Sequence, residues 1–457
     1  MGIRAGVFYP IAEEVIGNYN LEAEWTVNTD SRKPVPDSLF FPIVGERFDG
    51  HDHLLEAIHN GAKAAFWQKD VPVPQALPDD FPLFMVEDTL KALQESAKHY
   101  LKLTHPIVIG VTGSNGKTTT KDLVEAVLTQ KFRTHKTQGN FNNHIGLPLT
   151  ILSMPKDTEA LILEMGMNHF GEIDVLTRIA NPDFAIITNI GESHIEYLGS
   201  REGIAKAKLE ILNGLKPDGV FICDGDEPLL TQAATNQRSI RVGYSETCTA
   251  HISSVQLNSK GSEFVFDGHL YHVPLYGKHN IKNAAYALAL AEQLQISPAQ
   301  CQTALAHLTI TAMRFEVTAG PKGTMIINDA YNASPTSMIA SLETLKELSG
   351  FEKVVAVLGD MYELGPDEEA LHRKVADCLA APITDVVTIG PKARWIADEL
   401  KKRPSSVQIH EYQMKEDAIP LLLSFLGEKT VMLFKASRGM KLETLIQDLQ
   451  REGGISK

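Results

Sequence analysis

The sequence predicts an α/β protein of three domains. Its 457 residues exceed what one ordinary core supports, and that length implies roughly two to four domains. From Pro106 onward, short apolar runs alternate with stretches of helical spacing, the pattern of parallel strands covered by helices. Between the first such strand and its helix lies the glycine-rich turn "GVTGSNGKTTT", Gly110 to Thr120.

Taken in order, "VPVPQALPDDFP" (71–82) reads as a surface loop inside a first domain. "HYLKLTHPIVIGVTG" then passes from a polar helix end through Pro106 into a buried strand, which sets a boundary near residue 104. After "PIVIGV", Leu123, Val124, Val127 and Leu128 recur at helical spacing. "ALILEMG", "DFAIITNIG" and "GVFICDGDEP" are further strands ending in polar or glycine-rich turns. A second boundary falls at "TITAMRFEV", around residue 312. Beyond it "TMIINDAYNASP", "KVVAVLGDMYELG", "DVVTIGPKARWIADEL" and "TVMLFKASRGMKLETLIQDL" repeat the strand–turn–helix unit. The expected architecture is an N-terminal α/β domain (1–104), a central parallel-sheet domain (105–312) and a C-terminal Rossmann-like domain (313–457). In such sheets ligands gather at the carboxyl ends of the strands.

Composition narrows the function. A net charge of −14 argues against a nucleic-acid partner, which needs a basic face. An anionic substrate stays open if lysines and arginines concentrate in one cleft. Cys223, Cys248, Cys301 and Cys378 form no C-x-x-C pair, as expected of reduced thiols in a cytoplasmic protein. Pro10, Glu13 and Glu14 interrupt any N-terminal signal, and no run approaches the ~20 apolar residues of a membrane span. No membrane insertion is expected.

The glycine-rich turn departs from the common phosphate-loop spelling G-x-x-x-x-G-K-[ST], which would put its first glycine at Val111. Glycines stand instead at Gly110, Gly113 and Gly116. The chemistry survives the change. Gly113 and Gly116 let backbone amides of the loop, with Ser114 and Asn115, turn inward on phosphate. Lys117 neutralises β- and γ-phosphate charge, the Thr118 hydroxyl suits Mg²⁺, and the helix opening at Thr118 and Thr119 aims its positive end at the anion. ATP is the expected cofactor. A plain strand–helix turn is the duller reading, and the strand before, helix after and G-K-T between speak against it.

The spacing G-x-x-G-x-x-G-K-T, with "GKHNIKNAAYALALAEQL", "MRFEV" and "INDAYNASPTS", resembles the Mur ligases and folylpolyglutamate synthases. Within the Mur ligases, "TDSRKPVPDSLFFPIVGERFDGHDHLLEAIHNGAKAAF", "TQGNFNNHIGLPLTIL", "EMGMNHFGEI" and "GDMYELG" resemble the branch that joins D-alanyl-D-alanine to UDP-N-acetylmuramoyl-tripeptide. The resemblance implies an N-terminal UDP-sugar-binding domain, an acyl-phosphate intermediate, and a cleft closing on hinges near 104 and 312.

Roles for residues follow from the resemblance, and several have ordinary alternatives. Glu164 is by itself equally a solvated strand-end acid, and His194 a capping or packing histidine; the family implies that both hold a second magnesium. Lys206 and Lys208 read as a helix's solvated face. Lys206 keeps that reading, whereas Lys208 matches the lysine that relatives carry as a carbamate. Asn283 is the expected adenine partner, Arg314 the hinge arginine reaching the phosphates, Asp329 the ribose acid, and Tyr331 a ring to flank the base, with Asn332 beside it. Ser31, Arg32, Arg47, Asp49 and His51 are candidates for the UDP-sugar, although Arg47 is equally an exposed loop residue. Asn140 and Asn143 should line the donor cleft, and Lys435, Ser437 and Arg438 hold the acceptor carboxylate. A monomer is expected. The lysine- or diaminopimelate-adding Mur ligases and folylpolyglutamate synthase are the nearest alternatives. The first lacks here its usual acceptor motif, and the second generally lacks the N-terminal domain. A nucleotide-dependent switch is the alternative of another class; no guanine-reading N-K-x-D motif supports it.

Overall fold

The computed structural model describes residues 2–258 and 260–454. Among them the chain forms three sheets of six, nine and six strands, in chain order. In the first, strands Glu24–Asn28, Ser38–Phe40, Ala62–Gln68 and Leu83–Val86 run parallel. Short antiparallel strands, Ile3–Arg4 and Glu14–Ile16, close its edges.

The second sheet carries the glycine-rich turn. Strand Ile107–Thr112 lies between Phe184–Ile187 on one side and Ala160–Glu164 on the other. The chain therefore leaves this strand in both directions across the sheet, and the crevice at that switch point is where a ligand fits. The far edge is not parallel, as the strand–helix alternation had led one to expect. Ala250–Asn258, Gly261–Phe266 and His269–Val273 form an antiparallel meander. Its last turn is Asp267-Gly268, with φ of 45° and 78°, the tight hairpin that an Asp-Gly pair between strand-forming runs announces.

The third sheet is parallel except for its first strand, Glu316–Ala319, which pairs antiparallel with Met325–Asn328. Thr430–Lys435 inserts between Met325–Asn328 and Lys353–Gly359.

The two expected hinges prove unlike each other. Leu93, Ala97 and Leu101 of helix Thr89–Thr104 share one apolar core with Leu147, Leu161, Leu176 and Ile204 of the central domain. Parting the chain at residue 104 would expose that surface, at about 25 cal/mol per Å². At the second seam the connecting segment is tied to the central domain, where Asp122 accepts from Thr311 N and Oγ1, both at 2.8 Å, and polar contacts cross between the domains, from Arg314 to Thr118 and from Thr336 to Glu192.

Candidate active site

The phosphate loop connects strand Ile107–Thr112 to helix Lys117–Leu128. Its shape requires two of the three glycines. Gly113 and Gly116 have φ of 149° and 79°. A Cβ would lie 1.8 Å from Thr188 Oγ1 at the first and 2.6 Å from Asn283 Oδ1 at the second. Gly110 is a strand residue whose space is bounded by Met165 and Ile211 side chains, and Val111 is core. The odd spelling thus moves a packing glycine and leaves the loop glycines in place. The turn after Phe184–Ile187 fastens the loop: Asn115 N donates to Asn189 Oδ1 at 2.9 Å, and Thr188 Oγ1 donates to Asn115 O at 2.5 Å.

Lys117 reaches back over this loop, its Nζ donating to Gly113 O at 2.8 Å. Burial lowers its pKa, with Glu164 opposing and Arg314 adding to the fall. Glu164, 3% exposed at the end of its strand, accepts from Thr118 Oγ1 and from Asn142 Nδ2, both at 2.9 Å. Lys208, on helix Arg201–Leu209, is only 2% exposed. Burial first, and then the charge of Lys117, hold its pKa well below the lysine range. Lys206, by contrast, is exposed, above the Phe170 ring.

His194 has a left-handed backbone, φ 63°, just before helix Ile195–Leu198. Its Nδ1 lies 2.7 Å from Glu363 Oε2 of the C-terminal domain, in ion-pair range but off the line of a hydrogen bond. That proximity and the hydrogen-bonding reach of the ring lower the Glu363 pKa.

From the C-terminal side, Arg314 is held between Met313 and Phe315, both left-handed with φ of 62° and 54°. Non-glycine residues adopt that region at a cost of about 1–3 kcal/mol each, so surrounding contacts must hold this kink. The guanidinium stacks on Tyr331, 3.8 Å from the ring centre, and donates to Thr118 Oγ1 at 3.2 Å. Asp329 has both oxygens engaged, by Phe315 N, Ser341 Oγ and Lys435 Nζ. Nearby His279 is half-buried in the cleft wall, and desolvation takes its pKa to about 4 against the pull of Asp329, so it is neutral at pH 7.

A cleft of about 400 Å³ gathers most of the expected residues. Ser114, Asn115, Gly116, Lys117 and Thr119 line it, as do Glu164, His194 and Lys208. Asn140, Asn143 and Asn283 face it from the central domain; Arg314, Asp329, Tyr331, Asn332 and Lys435 face it from the C-terminal one. Several of the expected residues have partners within the chain. The Tyr331 face is covered by Arg314, and Lys435 spends its ammonium on Asp329 at 2.5 Å. Ser437 accepts from Tyr362 N and Arg438 pairs with Glu443; neither lines the cleft. Asn143 caps Gly146 N, whereas its neighbour Asn142 reaches Glu164.

The five N-terminal residues lie outside this cleft. Ser31 Oγ donates to Glu56 at 2.5 Å, and Arg32 pairs with Asp30 on the surface. Arg47 is exposed. Asp49 caps the 3₁₀ turn Gly50–His53 and accepts from His51 N; the His51 ring, 1% exposed, packs edge-on to Trp67. Asn142, Asn189, His279 and Thr336 line or brace the cleft without having been singled out. All four lie in stretches already in view, Asn142 in "GNFNNHIG", Asn189 in "DFAIITNIG", His279 in "GKHNIKN" and Thr336 in "INDAYNASPTS", but nothing in those stretches separates them from their neighbours.

A phosphate loop at the switch point of a parallel sheet, completed by an arginine from a second α/β domain, defines a phosphoryl-transfer enzyme whose site spans two domains. The chain belongs to the Mur ligase family of ATP-dependent ligases. The family's middle domain matches residues 111–291, its glutamate ligase domain 313–438, and its catalytic domain 26–101. The UDP-N-acetylmuramoyl-tripeptide–D-alanyl-D-alanine ligase of Bacillus subtilis is 46% identical over 447 residues, covering 96% of this chain and 97% of that protein. A crystal structure of MurF from Acinetobacter baumannii superposes with a TM-score of 0.88 at 28% identity, covering 99% of both chains. MurF ligase from Thermotoga maritima in complex with ADP gives 0.83 at 29% identity, over 94% of this chain and 98% of that one. No helix among the described residues is long and apolar enough to cross a membrane.

Proposed function

We propose that this enzyme uses ATP to join D-alanyl-D-alanine to UDP-N-acetylmuramoyl-tripeptide in the cytoplasmic stage of peptidoglycan precursor synthesis. The carrying observation is a cleft between two domains in which Lys117 of the phosphate loop lies near the buried Glu164, Arg314 reaches Thr118 from the C-terminal domain, and the buried Lys208 stands beside Lys117. Such a site suits a triphosphate and an anionic substrate together. The full-length similarity to relatives with that activity supports the choice of substrates.

Joining a carboxylate to an ammonium in water is unfavourable, so the carboxylate must first gain a leaving group. A terminal tripeptide oxygen attacks the γ-phosphorus; the bond to the bridging oxygen breaks and ADP departs with its electrons. The deprotonated amine of D-alanyl-D-alanine then attacks the acyl carbon, and phosphate leaves. Lys117 and Arg314 balance charge on the transferring group, and the loop amides orient it. Asn140, Asn142 and Asn143 are placed to position the donor peptide. Enclosure between the domains keeps water from the acyl phosphate.

Magnesium fits this donor set, because the Thr118 hydroxyl and the Glu164 carboxylate are hard oxygen ligands beside the loop. Bound there, it would neutralise phosphate charge. Among the described residues no group of three or more His, Cys, Asp and Glu side chains is gathered for a metal. A second ion would draw on Glu164, His194 and Lys208. Burial and the nearby Lys117 favour the neutral amine of Lys208, which can add CO₂ and release a proton to become a carbamate, an oxygen ligand. Asn283, Asp329 and Tyr331 remain the proposed nucleoside contacts. The exposed Arg32 and Arg47 are the proposed diphosphate contacts, with Ser31, Asp49 and His51 shaping their loops. Both faces of the cleft come from one chain, which supports the reading as a monomer.

Phosphate release from ATP tests the reading. It should require both UDP-N-acetylmuramoyl-tripeptide and D-alanyl-D-alanine, with hydroxylamine trapping the acyl phosphate when the dipeptide is omitted, and Lys117→Ala should abolish it. ADP formed at full rate without any tripeptide would sink the proposal.

A further inference from the structure

The turn Gly191-Glu192-Ser193 touches two domains at once. On the phosphate-loop side, Gly191 N donates to Ser114 Oγ at 2.9 Å, and Ser193 Oγ donates to Ser114 O at 3.4 Å. On the other side, the Glu192 carboxylate accepts from Thr336 N at 3.1 Å and Thr336 Oγ1 at 2.5 Å. Thr336 stands in the first turn of helix Pro335–Glu347 of the C-terminal domain. The first amides of a helix lack partners within it, and its positive end favours an anion. Ser334 serves Ser337 N at this helix start; the Thr336 amide is served from another domain. Glu192 is 7% exposed, and a carboxylate so enclosed is stable only while hydrogen-bonded.

We infer that Glu192 is a positioning residue that ties the C-terminal domain to the phosphate loop and favours the closed arrangement in which Arg314 reaches Thr118. It touches no reacting atom. One end of its turn rests on the loop that grips the triphosphate, and the other end holds the domain that brings the arginine. Across the same seam Arg314 donates to Thr118 and His194 stands beside Glu363, so the two Glu192 hydrogen bonds are among the polar contacts that opening would break.

The readout rests on the ligase reading above, so the experiment keeps the two apart. Glu192→Ala, Glu192→Gln, Thr336→Val and the double variant Glu192→Ala/Thr336→Val are compared with wild type. The measurements are steady-state turnover, binding of a non-hydrolysable ATP analogue, thermal midpoint, and small-angle scattering with and without the analogue. Glu192→Ala should lower kcat roughly tenfold or more, the scale of losing hydrogen bonds to a charged group. Analogue affinity should change less than threefold and the thermal midpoint hardly at all. Glu192→Gln, which keeps an acceptor, should recover part of the loss, and the double variant should be no worse than Glu192→Ala alone. Wild type should compact on binding the analogue, and Glu192→Ala should compact less. A kcat within twofold of wild type, or losses that multiply in the double variant, would overturn the tether. Wild type making no product would refute the ligase reading instead, and scattering would still decide the tether.

Discussion

Replacing Gly113 by alanine tests the phosphate loop where its geometry is tightest. At φ 149° a side chain costs about 1–3 kcal/mol in backbone strain. The new Cβ would fall 1.8 Å from Thr188 Oγ1, so that hydroxyl must leave and forfeit its 2.5 Å bond to Asn115 O, about 1 kcal/mol. Together these amount to about 2–4 kcal/mol. If the loop relieves them by distorting, nucleotide affinity falls between roughly thirtyfold and several hundredfold. Thr188→Ala, which loses the hydrogen bond without the strain, should cost only about fivefold. Gly110→Ala is the control. Its Cβ would meet flexible side-chain ends, Met165 Cε at 3.0 Å and Ile211 Cδ1 at 3.3 Å, so about 1 kcal/mol of stability is lost and binding stays within threefold. Calorimetric titration of a non-hydrolysable ATP analogue, with thermal melts, reads all three. Tight binding by Gly113→Ala, or an equal loss in Gly110→Ala, would refute the assignment of the loop glycines.

Two further outcomes are expected. Lys208 has a lowered pKa when folded, so between that value and the ordinary lysine value the unfolded chain binds more protons, and wild-type stability rises with pH across that window. Lys208→Met should therefore be more stable than wild type at neutral pH and flatten the rise as pH climbs toward 10.5, as urea unfolding in CO₂-free buffer would show, while turnover is lost. Asp122, whose side chain is 1% exposed, accepts from Lys136 at 2.7 Å as well as from Thr311. Asp122→Asn should cost about 2–3 kcal/mol, with Glu125 still beside Lys136. It should also lower kcat more than analogue binding, because Thr311 leads into the segment that carries Arg314.

Residues whose function depends on local backbone were legible without the fold. Gly113, Gly116, Lys117 and Thr118 fall within six residues, so strand, turn and helix dipole are written in one stretch, and Glu164 closes an apolar strand. The Asp267-Gly268 turn carries a hairpin signal of the same local kind, which the expectation of a wholly parallel sheet left out. Tertiary structure decided the rest. Lys208 looks like any helix-surface lysine until burial and Lys117 are brought against it. Asn142 and Asn143 are indistinguishable in "GNFNNHIG" until one faces Glu164 and the other a helix end. Glu192 has no motif of its own, because its partner Thr336 belongs to another domain. Desolvation and long-range hydrogen bonds depend on which surfaces meet, and that is a property of the packed chain. Dihedral freedom, hydrophobic spacing and a phosphate-gripping loop are properties of neighbours in sequence, which is why they could be read first.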